Sequence, residues 1–278
     1  MHLGRVAEAI PALRSEAAER PWDPWVRWRL ARAYNLMEMP DSACVHALEA
    51  WRMEPGEEIF LAEYFKALRR CGREPEVLEL AGLVRNGGAA RYHAAACGHE
   101  PSLRYLRDSS MSSDDSTAAD ACCWLSLLEG AGGAGERSLQ LMRRCVDLAP
   151  EEGFYRSMLV EDLCGTGLLD EARADLLVLR RSRWFEPGYW DACASVAELE
   201  GDQERRLWAL RRSVEAMRTP GSIRSLGWGL ISAARSDMRN GRLELATQRL
   251  SEAVRLGGSS EEFVRVSDSL LTMTGLYE

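Results

Sequence analysis

Residues suited to a tight turn recur along this chain at a nearly fixed interval, and that interval restricts the fold more than any other feature. A turn joining two helices often needs a positive φ, which glycine adopts cheaply. Candidate turn positions are Gly4, Glu38, Gly72, Gly98, Gly133, Gly167, Gly201 and Gly241; by subtraction their spacings are 34, 34, 26, 35, 34, 34 and 40. Five of the seven lie within one residue of 34. Apolar residues at helical spacing fill the intervals. The chain therefore reads as one supersecondary unit repeated, each copy burying its apolar face against the next.

The best-formed copy runs from Trp25 to Pro55. Its first helical pattern carries Trp25, Trp28, Leu30, Ala31 and Tyr34, and its second carries Ala43, Ala47 and Ala50. Small residues at Ala31, Ala43, Ala47 and Ala50 predict two helix backbones in close approach, with Leu30 and Tyr34 filling the space beside them. Leu30, Ala31, Tyr34, Ala43, Ala50 and Pro55 fall at offsets that resemble the tetratricopeptide repeat, a 34-residue helical hairpin. Arg27 stands at that pattern's Trp position and Ala47 at its Phe position. The resemblance implies an all-α fold, an α-solenoid of about seven such hairpins forming a right-handed superhelix, closed by a C-terminal capping helix. It also implies a non-catalytic scaffold or adaptor, with no cofactor.

In chain order, residues 1–20 read as the second helix of an incomplete repeat, with Pro11 early in it, leaving an N-terminal edge open to self-association. Residues 1–258 form the array. Its third repeat is degenerate: Ala89–Gly98 makes a short helix and Pro101–Arg107 leaves room for barely two turns. The polar run DSSMSSDDSTAAD predicts a flexible loop, placed at 108–118, with Asp115, Ser116 or Thr117 capping the helix that follows. Residues 259–278 form the capping helix. About sixteen helices and no strands are expected.

Composition narrows the function classes. With 46% hydrophobic and 28% charged residues the chain can bury a large core. A net charge of −8 argues against a nucleic-acid partner. Lys66 is the single lysine among 35 basic residues, a bias that points to GC-rich coding and a bacterial source. No apolar run is long enough to span a bilayer, and the N-terminus lacks the order of a secretory signal, so membrane insertion is not expected and the cytoplasm is. The eight cysteines are then reduced and act as small core residues. GAGGAG lacks the Lys and Ser or Thr of a phosphate loop. His93, Cys97 and His99 resemble a metal cluster short of a fourth ligand, so no metal is expected. No Gly-x-Ser-x-Gly occurs, and the chain is expected not to be an enzyme.

A helical-hairpin array offers a concave surface lined by the first helix of each unit. Laid in register, Arg32, Lys66 and Arg69 face that groove with Asn35 beside them, while Glu161, Asp191 and Glu198 take comparable places further on. The partner-binding candidates are Trp28, Arg32, Asn35, Lys66, Arg69 and Arg70, and the expected partner is a protein or peptide with an acidic segment. Trp28 and Arg32 stand where a chaperone-tail-binding subgroup of the family carries Lys and Asn, so that specificity is not expected. Two other readings are a regulatory module sensing a small molecule or signalling peptide, and, further back, a metal-dependent enzyme.

Overall fold

In the computed structural model the described residues are 6–85, 87–133, 135–183, 187–257, 265, 266 and 270. Among them are fifteen α-helices, one 3₁₀ turn and no strand. Two compact units divide the chain, one from Arg5 to Asp175 and one from Leu176 onward.

The first unit begins with α1 (Val6–Glu19), which contains Pro11 and buries Val6, Leu13 and Ala17. Hairpins follow: α2 (Pro24–Leu36) with α3 (Pro40–Met53), α4 (Glu58–Arg70) with α5 (Glu74–Leu80) and its 3₁₀ turn (Ala81–Leu83), α6 (Gly88–Ala96) with α7 (Glu100–Ser109), and α8 (Asp115–Ala131) with α9 (Gly135–Leu148). Next come α10 (Gly153–Gly165) and α11 (Leu169–Arg183), the last helix crossing into the second unit. That unit continues with α12 (Pro187–Leu199), α13 (Gln203–Ala216), α14 (Pro220–Arg239) and α15 (Leu243–Gly257). Seven successive helix pairs are thus present among the described residues. No described helix is long and apolar enough to cross a membrane.

Every expected turn residue within the described chain has positive φ: Glu38 at 56°, Gly72 at 70°, Gly98 at 92°, Gly133 at 83°, Gly167 at 79°, Gly201 at 75° and Gly241 at 74°. Gly4 lies outside the described residues. The left-handed residue reverses the backbone so that the next N–H reaches the carbonyl five residues back. That bond runs from Met39 to Tyr34, Arg73 to Leu68, His99 to Ala94, Leu168 to Leu163, Asp202 to Ala197 and Arg242 to Asp237, at 2.9–3.1 Å. Within the best-formed hairpin Ala31, Ala43, Ala47 and Ala50 are all fully buried, as close approach of α2 and α3 requires. The two irregular intervals have simple causes. α5 and α6 have only 7 and 9 residues, which absorbs the 26-residue spacing, and the 20 residues of α14 account for the 40.

Two local expectations are corrected. α7 extends to Ser109 and α8 begins at Asp115, so only residues 110–114 lie between helices rather than the whole of 108–118. The cap of α8 is Asp114, whose carboxylate accepts from the Thr117 N–H at 2.8 Å and from its hydroxyl. Ser110 is buried there and donates to the Arg107 carbonyl at 2.7 Å, which gives this polar run an anchor without apolar side chains. The expected capping helix at 259–278 lies, apart from residues 265, 266 and 270, outside the described residues.

Candidate partner-binding site

The first helices of three successive hairpins, α2, α4 and α6, pack side by side. Counting back six residues from the turn positions 38, 72 and 98 reaches Arg32, Lys66 and Tyr92, and counting back three reaches Asn35, Arg69 and Ala95. Equal distance from an equivalent turn gives each set an equivalent azimuth on its helix, so the sets share a face.

Four cations collect here. Arg32 is exposed, with its guanidinium 5.4 Å from the Trp28 ring centroid. Lys66 is half-buried, its Nζ 3.8 Å from Glu63 Oε1. Burial pulls the Lys66 ammonium below its ordinary value, and Arg70 and Arg32 pull it further, while Glu63 opposes them. Arg69 donates to His93 Nδ1 at 2.9 Å and lies 5.6 Å from the Tyr92 ring centroid. A nitrogen that accepts from a guanidinium must be unprotonated, and His93 is held neutral accordingly. Its value is lowered to about 3, by burial first and then by Arg69, Lys66 and Arg70. Arg70 is exposed and donates to the Asn35 carbonyl oxygen.

Asn35 does not face outward beside these cations: it is wholly buried. Its Nδ2 donates to Glu63 Oε1 at 2.6 Å and to the Glu63 carbonyl at 3.3 Å. Asn35 therefore holds Glu63 and Arg70 in place from beneath. Of the tryptophan pair, Trp25 is the more exposed at 44%, although its ring also meets that of Phe60 at 4.9 Å. Trp28 is half-buried and meets Trp25 edge-on at 5.7 Å.

Tyr92, His93 and Glu63 belong to this face and were not among the partner-binding candidates. The same count of six from Gly98 would have reached Tyr92, had the degenerate third repeat been kept in register. Tyr92 stacks near Trp124 of α8 at 5.1 Å, extending the aromatic side of the face to a fourth helix.

The acidic candidates differ in their surroundings. Glu161 is exposed on α10. Its neighbour Asp162 turns inward: Ser138 donates to it at 3.1 Å, and burial raises its carboxyl. In the second unit Asp191 likewise accepts from Ser213 at 2.7 Å and is raised by burial, while Glu198 pairs with Arg206 at 3.0 Å. Cys97 closes α6 and His99 opens α7, its Nδ1 2.8 Å from Ser102 Oγ. Among the described residues no three His, Cys, Asp or Glu side chains are grouped to hold a metal ion. All eight cysteines are free thiols; Cys44 and Cys71 approach to 4.0 Å, and Cys145 donates to the Ala119 carbonyl at 3.1 Å.

No family model and no curated protein matches the sequence. Solved structures do. A chain in the crystal structure of the APC/C hetero-tetramer Cut9-Hcn1 is 11% identical with a TM-score of 0.56, over 99% of this chain and 60% of that one. This chain thus spans 60% of that chain's length. A tetratricopeptide repeat protein from Parabacteroides merdae is 12% identical over 91% of this chain and 98% of its own, with a TM-score of 0.49. The C-terminal part of a TPR repeat-containing protein from Cytophaga hutchinsonii is 12% identical over 95% of each, with a TM-score of 0.45. At such identities the likeness concerns the fold alone.

Proposed function

From the tetratricopeptide-repeat fold of this chain we propose that it is a non-catalytic cytoplasmic scaffold, holding a protein or peptide partner by an acidic segment laid across α2, α4 and α6. The observation that carries this reading is the density of positive charge on a chain whose net charge is −8. Burial lowers Lys66 and His93 first, and the neighbouring cations add to it, Arg70 and Arg32 at Lys66 and Arg69, Lys66 and Arg70 at His93, with Glu63 as counter-charge to Lys66. Like charges gathered and partly desolvated cost free energy in the free protein, and a carboxylate ligand relieves that cost. Three of the four are already oriented, Arg69 by His93, Arg70 by the Asn35 carbonyl and Arg32 by Trp28. Preorganised guanidiniums lose less side-chain freedom on binding a carboxylate. Trp25, Trp28 and Tyr92 supply apolar surface for residues between the acids.

The test is a combined Arg32→Glu, Lys66→Glu and Arg69→Glu variant against a fluorescent library of acidic peptides, with helicity checked by circular dichroism. The wild type is expected to capture acidic peptides, and the folded variant to bind them at least a hundredfold more weakly. Equal capture by both sinks the assignment.

A further inference from the structure

A second site is built in the unit that begins at Leu176. A cavity of about 430 Å³ lies between the end of α11, α12 and α13, lined by Arg180, Tyr189, Trp190, Cys193, Arg205 and Trp208. It occupies a different side of α12 from the register described above. At about 100° per residue, the positions three, six and ten before Gly201 (Glu198, Ser195 and Asp191) fall within a sector of about 60°. Tyr189 and Cys193 fall on the opposite side of the helix, with Trp190 at its flank.

The walls are aromatic and the mouth is cationic. Trp190 and Trp208 meet at 5.2 Å with their planes at 84°, and Tyr189 meets Trp190 at 4.8 Å and 67°. Trp208 remains 48% exposed, an unusual amount for so large an apolar ring, while Tyr189 and Cys193 form a buried floor. Arg180 and Arg205 are both exposed at the rim. Their positive charge reaches Tyr189 and Cys193, opposing the burial that raises both groups. Arg205 is engaged by Glu200, Nη1 to Oε2 at 2.7 Å. Arg180, also on the rim, makes no ion pair with another described residue.

We propose that this cavity binds an aromatic monocarboxylate, its ring seated against Trp190 and Trp208 and its carboxylate held by the Arg180 guanidinium. A cavity of this size falls at the lower end of the range for small-ligand pockets. Two right-angled indoles offer both a face and an edge to a flat guest, and the rim arginines exclude the cations that aromatic boxes otherwise attract. A guanidinium fork matches a planar carboxylate with two parallel hydrogen bonds. Glu200 beside Arg205 repels a second negative charge, which selects a monoanion over a phosphate dianion. The same chemistry is presented by a free aromatic acid and by the terminal residue of a peptide ending in Phe or Trp.

Calorimetry on the full chain distinguishes these cases with indole-3-acetate, indole-3-acetamide, phenyl phosphate and N-acetyl-Ala-Ala-Trp as its free acid and its amide. Indole-3-acetate is expected to bind saturably, at least tenfold tighter than its amide and than phenyl phosphate. Arg180→Gln and Trp208→Ala, both at exposed positions, should each weaken it about tenfold while leaving capture of acidic peptides at α2, α4 and α6 intact. Tighter binding of the peptide acid than of indole-3-acetate, with the peptide amide inert, supports the same site and assigns it to chain termini. No saturable binding of either acid, equal affinity for acid and amide, tighter binding of phenyl phosphate, or an unaffected Arg180→Gln variant overturns the proposal.

Discussion

Glu38 does what six glycines do elsewhere in the chain, holding φ at 56° with a side chain attached. An L-residue in that region carries a steric cost of roughly 1–2 kcal/mol that glycine avoids, offset in part by the freedom glycine loses on folding. Glu38→Gly should therefore stabilise the protein by about 0.5–1 kcal/mol, read as a rise in thermal midpoint. The reverse change at Gly72, Gly72→Ala, isolates the backbone effect, because an added Cβ there meets nothing within 4 Å. It should cost about 1 kcal/mol through φ alone. His93 gives the second residue-scale prediction. The unfolded chain takes up a proton near the ordinary imidazole value of 6.5, whereas folded His93 is held to about 3. Between those values the unfolded state binds the extra proton, so stability falls as pH falls through 6.5. From pH 7 to pH 5 the loss attributable to His93 is about 2 kcal/mol. His46 is also lowered by burial and loses stability in the same direction, so the comparison must be with a variant. Urea midpoints at both pH values should show His93→Asn losing markedly less than the wild type; equal losses would remove His93 as the cause.

At the scale of helices, the chain joins its elements in two ways. Small residues let backbones touch: Gly229 of α14 sits where a Cβ would come within 2.7 Å of a Leu210 methyl on α13. Buried charge joins the same region differently. Asp237 of α14 is fully buried, with Arg242 Nη2 2.7 Å from Oδ1 and Arg249 Nη1 2.8 Å from Oδ2. Both guanidiniums approach off the line a hydrogen bond needs, so they act on Asp237 chiefly as charges. Arg249, itself buried on α15, also reaches Glu204 of α13 and so ties three helices together. Removing the carboxylate leaves the buried Arg249 with only the exposed Glu204 as its partner and takes away the buried counter-charge it shares with Arg242. Asp237→Ala should destabilise by roughly 3–5 kcal/mol, and adding Arg249→Met should recover much of that, because a well-packed apolar pair replaces a buried ion pair at little cost. Chemical denaturation of the two variants checks it; a double variant no more stable than the single one would mean the charges are not coupled.

Across the whole molecule, charge is distributed unevenly. A chain of net charge −8 that gathers Arg32, Lys66, Arg69 and Arg70 on one face carries a local positive potential there against its overall negative charge. Acidic-peptide capture at that face should weaken steadily between about 50 and 300 mM salt as the screening length shortens, with most of the change in the association rate. Salt-independent capture would mean that Trp25, Trp28 and Tyr92, rather than the cations, hold the partner.

The repeat itself was legible in the sequence because its determinants are local. A positive φ must recur wherever one helix folds back on another, and alanines must recur wherever two backbones touch; both needs are written at fixed offsets within about 34 residues. The cations could be placed on one face for the same reason. What the tertiary structure decided is what each side chain meets across helices. Asn35 turns inward to Glu63 and Arg70 and Asp191 to Ser213, although their spacing alone put them on the groove face with the exposed acids and bases. Ser110 and Asp114 order a run whose composition reads as a loop. The aromatic cavity draws on three helices at once. Such contacts depend on how far each helix runs past its neighbour, and α5, α6 and α14 depart from the common length, so the period fixes the hairpins without fixing the company their side chains keep.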